Sequence, residues 1–405
     1  MRTLPILLIT ACLLLSGAER RVVFPAGAKP VGPYSPGIFA GDYLYVSGQG
    51  ARGADNKFSE SSEDRIRQSL KNVQAIIEAG GLTMEHILYT QVYMHQSTTY
   101  DELNKVWREV FPKNPPARAV LWVHRMPTET PIEINAIAVK DLSRKQAVTV
   151  PGFPANSPIA AGIRSGDRLY ISGLLGYDPA TTKVPEDPAA QVELALSRVQ
   201  SVLKAAGMDF RNMVFVNPYL TSAMPMGVMN KVYASKFEHG NTPARATIQV
   251  SGLAHGANIE FTGVAIGDLS KRRAIRPKNM PPSPTASPCV FMEDTLYCSA
   301  KSGFIPGPNG GIFAGTVDDQ VRQTMRNLLD GLEEAGLNFS HVAASNVYVD
   351  NLDEFAKMNA VYGKYFPAAA PPSRTTVAPL APVQRVRSDS GHFPKLEEVS
   401  IIAVQ

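Results

Sequence analysis

Residues 114–118 read Asn-Pro-Pro-Ala-Arg, residues 241–245 read Asn-Thr-Pro-Ala-Arg, and a looser echo, Pro-Pro-Ser-Arg, occupies 371–374. The three arginines, Arg118, Arg245 and Arg374, lie 127 and 129 residues apart, and other landmarks keep nearly the same interval. A fixed long period of this kind marks a duplicated structural unit. Upstream of each arginine, a helical pattern repeats an asparagine and, three residues on, an aromatic: Asn104 with Trp107, Asn230 with Tyr233, Asn359 with Tyr362. Farther upstream, 62–79, 188–206 and 317–335 are expected to be longer amphipathic helices. Ile66, Leu70, Val73, Ile76 and Ile77 recur at helical spacing in the first, and Gly80, Gly207 and Gly336 follow the three as expected stops. Runs at 43–47, 87–94, 119–123 and 132–139 have the alternation or β-branching of strands. Each copy is therefore expected to run β-β-α-β-α-β-β, an α+β unit of about 120 residues, within the usual domain range. The domains are placed at 24–143, 148–270 and 280–405, with polar, proline-bearing linkers at 141–154 and 268–284.

The 405 residues carry 40 Lys+Arg against 36 Asp+Glu, and no basic run interleaves with aromatics, so no nucleic-acid partner is expected. Residues 1–18 have the charged start, short apolar run and small residues (Ser16-Gly17-Ala18) of a cleaved signal peptide. Export to the periplasm or outside the cell is the expectation, with no membrane contact beyond that peptide; a lipoprotein through Cys12 is the weaker alternative. The other two cysteines, Cys289 and Cys298, flank a Glu293-Asp294 turn and face each other across a hairpin, which allows one disulfide; two small apolar strand residues is the alternative. Seven scattered histidines give no metal-ligand spacing, and no metal is expected.

The first copy also contains Pro30-Val31-Gly32-Pro33-Tyr34-Ser35, Tyr45-Val46-Ser47-Gly48-Gln49, Pro116-Ala117-Arg118 and Ile132-Glu133-Ile134-Asn135. Together these resemble the RidA/YjgF family of imine and enamine deaminases, strongly in copy one, clearly in copy two and weakly in copy three. The resemblance implies a chorismate-mutase-like fold, helices on one face of a mixed sheet, and ligand clefts between the subunits of a trimer. Three linked copies then imply an intramolecular pseudo-trimer within a monomeric chain, in which tethering replaces bimolecular association and lets the clefts diverge.

The resemblance further implies that Arg118, Arg245 and Arg374 hold a substrate carboxylate, a task suited to the bidentate guanidinium fork. Glu133, Glu260 and Glu398 would position water for attack on an imine carbon. Arg118 with Glu133 and Arg245 with Glu260 are the expected working pairs. Tyr34, Ser47, Gly48, Ser172, Gly173 and Ser299 are candidate substrate contacts, and Asn104, Asn230 and Asn359 are either substrate contacts or helix-surface and capping residues. No cofactor is implied. The expected ligand is a small 2-imino or 2-oxo acid such as 2-iminopropanoate, with 2-oxo acid and ammonia as products. The alternatives are a carboxylate-binding module without turnover and, more weakly, an endoribonuclease.

The sequence departs from the family pattern in several places. Tyr34 is matched by Ile159 and Ala286, the family's cysteine two residues beyond the arginine by Val120, Thr247 and Thr376, and Gly-Gln by Ala300-Lys301. The third copy also inserts 384–395, and its site is expected to turn over least.

Overall fold

A computed structural model describes residues 20–28, 32–278, 280–307, 310–389 and 391–405. The expected signal peptide, Cys12 and Pro30-Val31 lie outside them. In the first copy β1 (Arg20–Val23), β2 (Gly37–Ala40), β3 (Tyr43–Gly50), β4 (Ile87–Met94), β5 (Ala117–Trp122) and β6 (Ile132–Val139) form one sheet in the order β1-β2-β3-β6-β4-β5. Only β4 and β5 are parallel; α1 (Ser62–Ala79) and α2 (Tyr100–Val110) make the crossovers on either side of β4.

The second copy repeats this with β7 (Lys145–Ala147), β8 (Gly162–Ser165), β9 (Arg168–Leu175), α3 (Pro188–Ala205), β10 (Met213–Leu220), α4 (Met226–Ala234), the broken pair β11 (Ala244–Arg245) and β12 (Ile248–Gln249), and β13 (Ile259–Ile266). The third has β14 (Arg272–Ile275), β15 (Cys289–Met292), β16 (Thr295–Lys301), a small added hairpin of β17 (Phe304–Ile305) and β18 (Ile312–Phe313), α5 (Val317–Glu334), β19 (Val342–Val349), α6 (Phe355–Tyr362), β20 (Ser373–Val377) and β21 (Glu397–Val404).

The first and third sheets thus have one strand more than the sequence pattern indicated, and the second, whose outer strand is broken in two, has two more. The segments read as linkers, 141–154 and 268–284, carry β7 and β14, and β1 precedes the expected start at residue 24. These edge strands are three or four residues long and rich in Lys, Arg and Gln, so no apolar alternation marks them; charge and brevity are how exposed sheet edges avoid further pairing. Gly80 also departs from expectation. It remains right-handed at φ −77°, and Gly81 takes the left-handed turn at φ +79°, whereas Gly207 and Gly336 do so in their copies.

Alternation along the strands places a core on each side of the sheet. From β3, Leu44 and Val46 meet Ile66, Leu70, Val73, Ile76 and Ile77 of α1, while Tyr43 and Tyr45 point the other way. That second face joins Tyr170, Phe215, Val290, Tyr297 and Ala343 from the other copies in one shared cluster. The three sheets therefore enclose a common core, the intramolecular pseudo-trimer that three linked copies imply. Arg20 donates to the carbonyl of Ser340, closing the ring from first copy to third, and buried Arg168 pairs with Asp294 between second and third. Cys289 and Cys298 are partners in the β15–β16 register and form a disulfide, with Gly331 of α5 packed against Cys289 Sγ.

Candidate functional site at the copy boundaries

Each of β3, β9 and β16 breaks register at one point: between Val46 and Gln49, at Ser172-Gly173 opposite β13, and between Cys298 and Lys301. Bulges of this kind re-aim side chains and often adjoin functional sites. Here the serine of the bulge reaches into the next copy. Arg118 N–H donates to Ser172 Oγ at 2.9 Å, Arg245 N–H to Ser299 Oγ at 2.8 Å, and Arg374 N–H to Ser47 Oγ at 2.8 Å. Each hydroxyl in turn donates at 2.6 Å to a carbonyl of its own copy: Ala160, Ser287 or Ser35. Ser47, Ser172 and Ser299 therefore join copies and seat the arginine strand, and their hydroxyls are committed to backbone partners.

The arginines are held alike. Asn104 Oδ1 accepts from Arg118 Nη2 (2.5 Å), Asn230 Oδ1 from Arg245 Nη1 (2.8 Å) and Asn359 Oδ1 from Arg374 Nη1 (2.7 Å). These asparagines orient the guanidinium, neither capping a helix nor lying idle on its surface. The aromatic one turn later in the same helix lies near the cation: Trp107 at 4.7 Å from Arg118, Tyr233 at 5.1 Å from Arg245, Tyr362 at 5.0 Å from Arg374. Such rings stabilise a desolvated cation while leaving its in-plane donors available. Arg118 is fully buried, and its Nε and Nη1 have no hydrogen-bond partner among the described residues. Buried donors in that state cost about 1–3 kcal/mol, a cost that an arriving carboxylate relieves.

The glutamates align by register, Tyr93 opposite Glu133, Tyr219 opposite Glu260 and Tyr348 opposite Glu398. They do not pair with the arginine of their own copy. Glu260 approaches the backbone of Val120 and the charge of Arg118; Glu133 approaches the backbone of Thr376 and the charge of Arg374. Arg245 in turn feels Glu398. The expected pairs Arg118/Glu133 and Arg245/Glu260 are thus replaced by Arg118/Glu260, Arg245/Glu398 and Arg374/Glu133, because each sheet supplies its arginine on an outer strand and its glutamate on an inner one, and the two meet only across a boundary.

This exchange reverses which cleft is best equipped. Arg374, in the divergent third copy, is completed by the first copy: Tyr34 lies 5.0 Å from its guanidinium, and Ser35 clasps the carbonyls of Pro371 and Pro372. Arg245 instead faces the third copy, with Ala286 and Ala300. A Cβ on Gly48 would collide with Glu133 Oε1, and one on Gly173 with Glu260 Oε1, so the buried glutamate occupies the space a side chain would take. Ala300 carries that methyl. Glu398 is less buried and pairs with Lys395 of the inserted segment at 2.6 Å. Burial pushes the carboxyls of Glu133 and Glu260 up to about 8, against the opposing effect of the neighbouring arginines.

Sequence reasoning missed three contributors. The backbone amides two residues beyond the arginine, at Val120 and Thr376, serve the glutamates whatever side chain stands there. His255, one of the seven scattered histidines, stacks on Tyr177 at 4.4 Å beside the Arg118 cleft. Arg198 of α3 lines that same cleft, and a lone arginine in an amphipathic helix gives no signal of it.

Comparison with known proteins agrees with three tandem copies. The family model described as Endoribonuclease L-PSP matches residues 26–140, 153–267 and 280–387. A RutC family protein of Pyrococcus horikoshii is 37% identical over 30% of this chain and 99% of its own length. The 2-iminobutanoate/2-iminopropanoate deaminase of Mus musculus is 32% identical over 32% of this chain and 95% of its own. A chorismatase structure, 13% identical, aligns with 79% of this chain and 93% of its own at a TM-score of 0.50, a likeness of fold alone. With the family model matching three successive segments that together cover most of its length, the chain belongs to the RidA/YjgF (Endoribonuclease L-PSP) family, as three tandem copies.

Proposed function

We propose that the protein hydrolyses small 2-imino acids to 2-oxo acids and ammonia, using the Arg118/Glu260 and Arg374/Glu133 clefts. The observation that carries this is a buried guanidinium with unsatisfied donors facing, across a copy boundary, a buried carboxyl; Glu260 Oε1 has no partner among the described residues. The arginine holds the substrate carboxylate and so fixes the imine carbon, an orientation effect that accounts for much of such a reaction. Water adds to that carbon as its proton passes to the glutamate. The nitrogen takes that proton back to give the carbinolamine, and a second transfer through the glutamate, from the new hydroxyl to the nitrogen, forms the carbonyl as ammonia leaves. A carboxyl titrating near 8 can make both transfers near neutral pH. The mouse and other relatives bearing the deaminase name support this reading, and the disulfide supports export to an oxidising compartment.

The test is the rate of 2-oxo acid formation from enzymatically generated 2-iminopropanoate and 2-iminobutanoate. The intact protein should exceed the spontaneous rate, and an Arg118→Ala, Arg245→Ala, Arg374→Ala variant should not. A Glu133→Gln, Glu260→Gln variant should lose turnover while still binding 2-oxobutanoate. If the intact protein never exceeds the spontaneous rate yet binds that acid, the carboxylate-binding module is the correct account.

A further inference from the structure

We propose that the Arg118/Glu260 cleft is specialised for a 2-imino acid carrying a second carboxylate on its side chain, with Arg198 as the residue that recognises it. The inference rests on the reading of Arg118 as the holder of the first carboxylate.

It starts from an exchange between copies. At one position in the long helix, α1 has Asn72, α5 has Asn327 and α3 has Arg198. Asn72 Nδ2 donates to the carbonyls of Gly50 (2.8 Å) and Arg52 (3.0 Å), and Asn327 Nδ2 to those of Ser302 and Phe304 (2.9 Å each). Arg198 does the same work with Nη1 alone, donating to Leu175 (3.1 Å) and Tyr177 (3.2 Å). Pinning the strand exit therefore requires only an asparagine. The positive charge and the remaining donors of Arg198 are surplus to it, and they have no carboxylate at salt-bridge distance among the described residues.

The surplus charge borders the cavity that opens beside Arg118 and Glu260, whose own side chains are buried and do not line it. Arg198 lines a cavity of about 500 Å3 together with Asn104 and Tyr100, which hold and cover Arg118, and Gly173, against which Glu260 packs. The Glu260 carboxyl feels both Arg118 and Arg198, so two guanidinium groups flank the group placed to handle the water. Glu260 and Asp178 act on Arg198 from beyond salt-bridge distance, and a ligand carboxylate would give this partly desolvated cation a direct ion pair. Of the carboxylates lining the cavity, Asp178 is tied to Thr181 and the amide of Ala180. In the Arg374/Glu133 cleft the corresponding residue is the neutral, fully used Asn72, which leaves that cleft for monocarboxylates.

The experiment uses the full chain with Arg245→Ala and Arg374→Ala, so that only this cleft works, with and without Arg198→Asn, the residue the other copies use to pin the strand. Imines are generated enzymatically from aspartate and from 2-aminobutyrate. Arg198→Asn should lower kcat/KM for the aspartate-derived imine at least tenfold more than it lowers that for 2-iminobutanoate. Calorimetry should show 2-oxoglutarate binding more tightly than 2-oxobutanoate, with the difference lost in Arg198→Asn. If 2-iminobutanoate is hydrolysed but the substitution affects both imines equally or neither, the inference fails and the deaminase reading stands. If no imine is hydrolysed, the deaminase reading fails; an Arg198-dependent preference for 2-oxoglutarate then still upholds the second-carboxylate site, and equal affinities overturn it.

Discussion

A single methyl group separates the three clefts more sharply than any charged residue. Gly48 and Gly173 leave room for a buried glutamate, whereas Ala300 fills that space and Glu398 turns to Lys395. With Arg118→Ala and Arg374→Ala silencing the other clefts, the protein is expected to match the spontaneous rate, and adding Ala300→Gly with Lys395→Ala should raise it measurably; no change would show that Ala300 is not the cause. The raised carboxyls also set a pH dependence. Because the folded state favours protonated Glu133 and Glu260, the stability they contribute is fully present below the ordinary carboxylate value and is lost as pH rises through about 8. Thermal melts from pH 4.5 to 8 should fall more steeply for the intact protein than for Glu133→Gln, Glu260→Gln. Activity runs the other way: if the ionised carboxylate accepts the water's proton, kcat/KM should rise with pH to a plateau above about 8.

At the scale of elements, the bulge in β3 and β9 is the device that brings a serine to the neighbouring copy and a glycine to the glutamate. Gly173→Ala should displace Glu260 and remove turnover at the Arg118 cleft while 2-oxobutanoate still binds there, measured with the other clefts silenced. The hairpin of β15 and β16 is tied by its disulfide across a separation of 9 residues, and reduction should cost about 2–3 kcal/mol on chain-entropy grounds, read from denaturant unfolding. The helices and central strands were legible in the sequence because they bury a periodic apolar face: Ile66, Leu70 and Val73 could hardly be read otherwise. The edge strands β1, β7 and β14 were not, because an edge of Arg, Lys and Gln held only by backbone pairing has no side-chain period to detect.

Across the whole molecule, duplication was legible from the spacing of Arg118, Arg245 and Arg374, and so were the arginines and glutamates that the structure brings to the copy boundaries. Their partnership was not, since a repeat period says nothing about which side of a boundary a side chain faces. The shared core of Tyr45, Tyr170 and Tyr297 predicts one chain per particle at sedimentation equilibrium; three chains per particle would mean that the copies associate between molecules. That every cleft is built by two different copies can be read from two double variants assayed on 2-iminobutanoate. Arg118→Ala with Glu133→Gln damages both well-equipped clefts and should reduce hydrolysis to the spontaneous rate, whereas Arg118→Ala with Glu260→Gln damages one cleft twice and should retain the activity of Arg118→Ala alone. The opposite pattern would mean that each arginine works with the glutamate of its own copy and that the clefts are not shared.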